Sequence, residues 1–205
     1  MASVSEQLVR EYFETAGCLV RTPIKYQVAA RRKRPEEEID LLIWNPFAAD
    51  DHQARGLVWS EADVHHCRRA LVCVRGWHSE RLTPAVLQDS PDFFRFTSEE
   101  VRQLAEQQLD GGPVCCLLCV PNLPAGRPLR EQVEGLLSEH DVDGVLLFPT
   151  MLMEMIRRVD RKSNYEPSTV LQILRILKQY RLLRDPQLDL FSHRRRSRRS
   201  KREDG

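Results

Sequence analysis

Asp40 is a carboxylate set among apolar neighbours. It stands within EIDLLIW, residues 38–44, a run with the aliphatic and aromatic content of a β-strand, directly after the acidic residues Glu36 to Glu38. A buried carboxylate without a partner is costly, so Asp40 needs a cation, a metal ion or exposure at the strand end. Side chains alternate along a strand, which puts Glu38, Asp40 and Leu42 on one side; in ALVCVRG, residues 70–76, Leu71, Cys73 and Arg75 share a side in the same way. If the two segments pair, these sides meet at one point. There Arg75 either closes a structural ion pair with Asp40 or holds a phosphate bidentately.

Three further groupings have residue types that can do chemistry, and each has a plainer reading. Cys116 and Cys119 form C-x-x-C, but inside the apolar run VCCLLCV, where residues three apart point to opposite faces and thiols behave as small hydrophobes. His65, His66 and Cys67 resemble metal ligands by type; in a charged loop the histidines read as solvated side chains, as do Asp50, Asp51 and His52. Cys73 and His78 carry the types of a nucleophile and its base, yet along one strand they fall on opposite faces unless Gly76 bends the chain.

Capping signals and periodicity place the elements that must position Asp40. Ser3 and Glu6 have capping-box spacing, and Val4, Leu8, Tyr12, Phe13 and Ala16 recur at helical intervals up to Gly17. Residues 18–28 read as a strand joined to 38–44 by a hairpin through RRKRP, and 70–76 adds a third strand. Residues 45–69, long and polar for a connection, read as a surface insertion holding the short apolar piece Leu57 to Trp59. Thr97 and Glu100 open a helix, 114–120 is a buried strand, Pro128 starts another helix, and 144–148 is a fifth strand. Helices at 150–160 and 168–183 complete the order α-β-β-β-α-β-α-β-α-α, an α/β fold in which helices cover a mixed sheet begun by a meander.

The chain has 205 residues, 41% of them apolar, enough for a substantial core and too many for a disordered protein. Its net charge is +1, unevenly spread: residues 192–205 hold seven basic and two acidic side chains, leaving −4 on residues 1–191 and +5 on the tail. No apolar run is long enough for a membrane span, and Glu6, Arg10, Glu11 and Glu14 lie where a signal peptide needs its apolar core. A cytoplasmic protein without a membrane partner is the expectation. Six cysteines are too few for a disulfide scaffold and are expected as thiols.

The segments SEQLVREYFETAGCLV, EEEIDLLIWNP and ALVCVRGW resemble the first helix, second strand and third strand of the PD-(D/E)XK, or restriction-endonuclease-like, superfamily, especially its resolvase-like members. The likeness covers about residues 3–77. It implies a mixed sheet with an α-β-β-β-α-β core flanked by helices, one domain over 1–184 with extra C-terminal helices, and a flexible tail over 185–205. In active members the helix and strand carboxylates gather Mg²⁺ or Mn²⁺, and a Lys on the third strand helps orient or activate the attacking water. By that likeness Glu6 takes the helix position and Asp40 the second-strand position, the two metal ligands of an active site; Cys73 stands where the third-strand acid belongs and Arg75 where the Lys belongs. A thiol is a poor Mg²⁺ ligand and a guanidinium does not give up its proton. The resemblance therefore implies a degenerate site with no resident cofactor, in which Arg75 keeps a phosphate-holding role. The alternative is an active metal-dependent DNA nuclease with an altered site that uses Glu6, Asp40 and either Cys73 or Glu80, with Arg75 as phosphate clamp.

After Pro186 the chain reads QLDLFSHRRRSRRSKREDG. Gln187, Leu188, Asp189, Leu190 and Phe191 resemble, at all five positions, the pentapeptide by which bacterial replication and repair proteins dock on the β sliding clamp. An extended segment of this kind buries Leu188, Leu190 and Phe191 in an apolar groove while Gln187 fixes register. The plainer reading packs the same side chains back on the protein's own core. Arg194, Arg195, Arg196, Arg198, Arg199, Lys201 and Arg202 form either a solvated charge run or a non-specific contact for DNA phosphates. Together these features lead to the expectation of a DNA repair or replication protein at the nucleoid. Its expected partners are DNA, the sliding clamp and further proteins of those pathways.

Overall fold

The computed structural model describes residues 3–23, 35–49, 56–76, 82–166 and 168–183. The chain forms two compact units, residues 1–152 and 153–205.

The first unit opens with helix α1 (Val4–Thr15), whose N-cap Ser3 accepts the Glu6 amide at 3.1 Å. Gly17, at φ +88°, reverses the chain into β1 (Leu19–Arg21), a conformation that glycine adopts without strain. A 3₁₀ turn at Pro35–Glu38 precedes β2 (Leu41–Trp44). Helix α2 (Glu61–His66) leads to β3 (Arg69–Val74); α3 (Pro84–Gln88), a 3₁₀ turn at Pro91–Thr97 and α4 (Glu99–Gln108) lead to β4 (Cys115–Val120). Helix α5 (Arg127–Glu139), β5 (Gly144–Leu147) and the start of α6 (Phe148–Arg158) follow.

The five strands lie in one sheet in chain order, β1-β2-β3-β4-β5. The first two pairings are antiparallel and the last two parallel, so the expected meander is followed by two crossovers. Central β3 is buried along its whole length, as a strand covered on both faces must be. One face presents Leu42, Leu71, Cys73, Cys116, Leu118 and Val145 to a core completed by Phe93, Phe96, Val101, Ala105, Val133 and Leu137. Alternation turns Leu41, Ile43, Val72 and Leu117 to the other face, and Val9, Tyr12 and Phe13 are the buried apolar residues of α1.

Several elements differ from expectation. Asp40 does not lie within a strand: Pro35 suits the first position of a 3₁₀ turn, and pairing begins only at Leu41. Of the expected strand 18–28, residues 19–21 pair, and 24–34 lie outside the described residues. The stretch 45–69 is not simply a surface insertion. Val58 makes a parallel bridge with Val145, and Trp59, 2% exposed, donates its indole N–H to the Asp143 carbonyl at 3.1 Å. That piece thus adds to the β5 edge, and α2, with His65 and His66 on its last turn, occupies what read as a loop. Helix α4 starts after Ser98, one residue later than the Thr97 signal, because Thr97 ends the 3₁₀ turn and donates its hydroxyl to the Phe94 carbonyl.

In the second unit, α7 (Thr169–Gln179) follows N-cap Ser168, which accepts the Leu171 amide at 3.1 Å. The Lys178 ammonium donates to the carbonyls of Ile156 and Val159 at 2.6 and 2.9 Å, satisfying acceptors where α6 ends. Among the described residues no helix is long and apolar enough to cross a membrane.

Candidate functional site

The point where β2 begins and β3 ends collects the residues singled out around Asp40. Leu41 is in register with Val72, and the pairing continues one step back, where the Asp40 amide donates to the Val72 carbonyl at 3.0 Å. The Asp40 side chain then replaces the next strand carbonyl: Oδ2 accepts the Val74 amide at 2.7 Å. This accounts for a carboxylate that is only 7% exposed. The ion pair with Arg75 that the sequence allowed is not what the structure builds. Arg75 continues the β3–β4 pairing through its amide to the Cys119 carbonyl at 2.9 Å, and its guanidinium stands 5.5 Å from the centroid of the Phe93 ring, a cation–π contact.

Cys73 is fully buried and belongs to the apolar cluster with Ile39, Leu42, Leu71, Phe93 and Phe96. Glu38, two residues before Asp40, is also buried. Its Oε1 lies 3.8 Å from Arg95 Nε and accepts no hydrogen bond. Asp40 thus sits at the β2–β3 step beside Cys73, Arg75 follows two residues on along the chain, and Phe93 meets Arg75 while Arg95 meets Glu38. Glu38 was visible as the residue sharing a side with Asp40. Phe93 and Arg95 carried no local signal, since only the fold returns the Pro91–Thr97 turn to this point.

Glu6 is half-exposed in the first turn of α1 and its backbone amide is bonded to Ser3, the role that a capping residue fills. No hydrogen bond joins its side chain to Asp40. The buried carboxylate of α1 is Glu11, whose Oε1 accepts from Gln7 Nε2 at 3.0 Å. Its position directly before the buried pair Tyr12 and Phe13 was the available signal.

The other groupings resolve differently. Cys116 and Cys119 are both fully buried in β4, and only Cys116 belongs to the cluster that holds Cys73. Burial pushes the Cys116 thiol up to about 12, with Arg102 opposing the shift, and pushes Cys119 well above the usual thiol range. His65 stands 3.7 Å from Glu61, and the His66 ring nitrogen Nδ1 is 2.6 Å from the Ala62 carbonyl. His52, His78, Glu80, the segment Gln187 to Phe191 and the basic residues from Arg194 to Arg202 lie outside the described residues.

No family model matches the chain, and no curated protein or solved structure matches it.

The donor set fits Mg²⁺-assisted hydrolysis poorly. One Asp40 oxygen is committed to the Val74 amide, the thiol at Cys73 is soft and sealed among apolar side chains, and the cation beside them is a guanidinium that holds its proton. What the arrangement can do is hold. Arg75, partly exposed at the end of β3, is a fixed fork of donors suited to a phosphate oxygen pair.

Proposed function

We propose that this chain is a DNA-transaction protein of repair or replication, with a PD-(D/E)XK-like body, degenerate at its metal site, that binds or recruits rather than cleaves. The observation that carries the reading is the state of the third-strand position: Cys73 lies in the apolar core beside a carboxylate already bonded to the backbone. Support for the body comes from its order, in which α1, three meandering strands, α4 and a strand parallel to the third follow the succession that the resemblance implies. The segment Gln187 to Phe191 tethers this body to the bacterial sliding clamp, and the basic residues after it hold DNA phosphates, placing the protein at the nucleoid. A pull-down with purified sliding clamp tests the tether. The full chain is expected to bind, and Leu190→Ala/Phe191→Ala to lose more than about tenfold in affinity. Equal capture of both, or of neither, removes the tether from the reading.

A second reading, a metal-dependent endonuclease with an altered site, rests on one observation: the buried Glu38 oxygen that accepts no hydrogen bond supplies a hard donor close in sequence to Asp40. Incubation of branched, nicked and single-stranded DNA with Mg²⁺ or Mn²⁺ decides between them. No cleavage is expected. Cleavage that disappears in Asp40→Asn establishes the nuclease and overturns the recruiting module.

A further inference from the structure

The sheet end opposite Asp40 carries a group of thiols that the proposed function does not use. Cys67 closes α2 just before β3, and Cys115 opens β4, the parallel neighbour of β3, with Ala70 and Cys115 in register. Neighbouring strands run about 4.8 Å apart, so the segment that leads from Cys67 into β3 passes beside the start of β4. The Cys67 and Cys115 thiols are close enough that each is the strongest influence on the other's ionisation, and Cys67 Sγ donates to the Arg69 carbonyl oxygen at 3.3 Å. Of the six cysteines, Cys115 alone is partly exposed; the others are buried. Arg102 brings a cation to the same place, donating to the Val114 carbonyl at 2.9 Å and reaching Asp143 at 3.4 Å, while Asp143 accepts the Cys116 amide at 2.7 Å.

We infer that Cys67 and Cys115 form a peroxide-oxidisable dithiol, with Cys115 as the thiol that attacks the peroxide and Cys67 as its resolving partner. The physical reasons converge on this assignment. A thiol reacts as thiolate, and partial exposure beside a guanidinium is the setting in which thiolates form and oxidants arrive. The neighbouring Cys67 thiol and Arg102 hold the Cys115 thiol below its ordinary range, against the opposing effects of burial and Asp143, while Cys67 is held well above. Cys116, pushed up to about 12 by burial, and Cys119, pushed well above its usual range, stay protonated.

In the first step the Cys115 thiolate attacks one oxygen of hydrogen peroxide. The O–O bond breaks, a sulfenic acid forms on Cys115, and hydroxide leaves to take up a proton as water. In the second, the Cys67 sulfur attacks the Cys115 sulfur. The S–S bond forms, the S–O bond breaks, and the departing hydroxide leaves as water with the Cys67 proton. Two thiols are oxidised and one peroxide is reduced to two waters. The product staples the end of α2 to the start of β4, and a dithiol reductant restores it.

The test uses the full reduced chain treated with hydrogen peroxide, its remaining thiols then capped with N-ethylmaleimide, and peptides mapped by mass spectrometry without reduction. The expected product is a Cys67–Cys115 cross-linked peptide pair that dithiothreitol removes, with fragmentation assigning the bond to Cys115 rather than to Cys116 or Cys119. Cys67→Ser, which leaves the attacking thiol in place, is expected to accumulate a Cys115 sulfenic acid that dimedone traps. Cys115→Ser is expected to lose both products. Because the wild-type map needs no variant to fold, it decides alone: both thiols remaining free under peroxide that oxidises glutathione, or a cross-link to Cys18 in place of Cys67, overturns the assignment.

Discussion

Asp40 shows how a residue chosen for its chemistry can be explained by the backbone. Its Oδ2 accepts the Val74 amide at 2.7 Å in a place that water does not reach. Removing the acceptor leaves a buried N–H unpaired, which costs about 1–3 kcal/mol. Asp40→Ala is therefore expected to lower the unfolding free energy by that amount in urea titrations, and Asp40→Asn, which keeps an oxygen at the same place, to cost less. Equal stability of both variants and the wild type shows that the bond contributes nothing.

At the scale of elements, the piece around Trp59 is the clearest case of a contact that the local pattern hid. Trp59 lies over Gly144 so closely that a Cβ there would clash with its indole ring, next to the Val58–Val145 bridge. Gly144→Ala must push the indole outward or strain β5, at a cost of about 1–3 kcal/mol typical of overpacked cores. The expected readouts are a lower urea midpoint and a red-shifted tryptophan emission before unfolding. An unchanged midpoint separates the glycine from the seating of Trp59. Secondary structure was legible where capping and periodicity agreed, as in α1, β4 and α5. It was not legible in residues 45–69, because the burial of Trp59 depends on β5, which the chain reaches only after the whole crossover.

For the whole molecule, the buried thiols make stability depend on alkaline pH. Burial raises Cys116 to about 12 and Cys119 well above its usual value, and the neighbouring Cys115 thiol together with burial raises Cys67. In the unfolded chain these thiols ionise at their ordinary values, so above about pH 9 the unfolded state releases protons that the folded state retains. The contribution is fully present below that pH and is lost as pH rises towards the folded values, by up to about 1.4 kcal/mol per pH unit for each protected thiol. Cys115, shifted the other way, offsets part of the loss. Urea midpoints measured at rising alkaline pH are expected to fall, and Cys116→Ala is expected to fall less steeply. Parallel slopes for the two proteins rule out Cys116 as a source of the dependence.

The five strands in their order, the helices α1, α4, α5 and α7 and the burial of the 114–120 run were written in the chain, because alternation, helical period and capping act over a few residues and leave a local record. Tertiary structure alone decided what those residues touch. The amide that satisfies Asp40, the ring beneath Arg75, the Arg95 that faces Glu38 and the nearness of Cys67 to Cys115 all arise where distant segments are registered side by side. A hydrogen bond or a thiol contact is fixed within fractions of an ångström. No periodicity in a sequence carries distance at that precision.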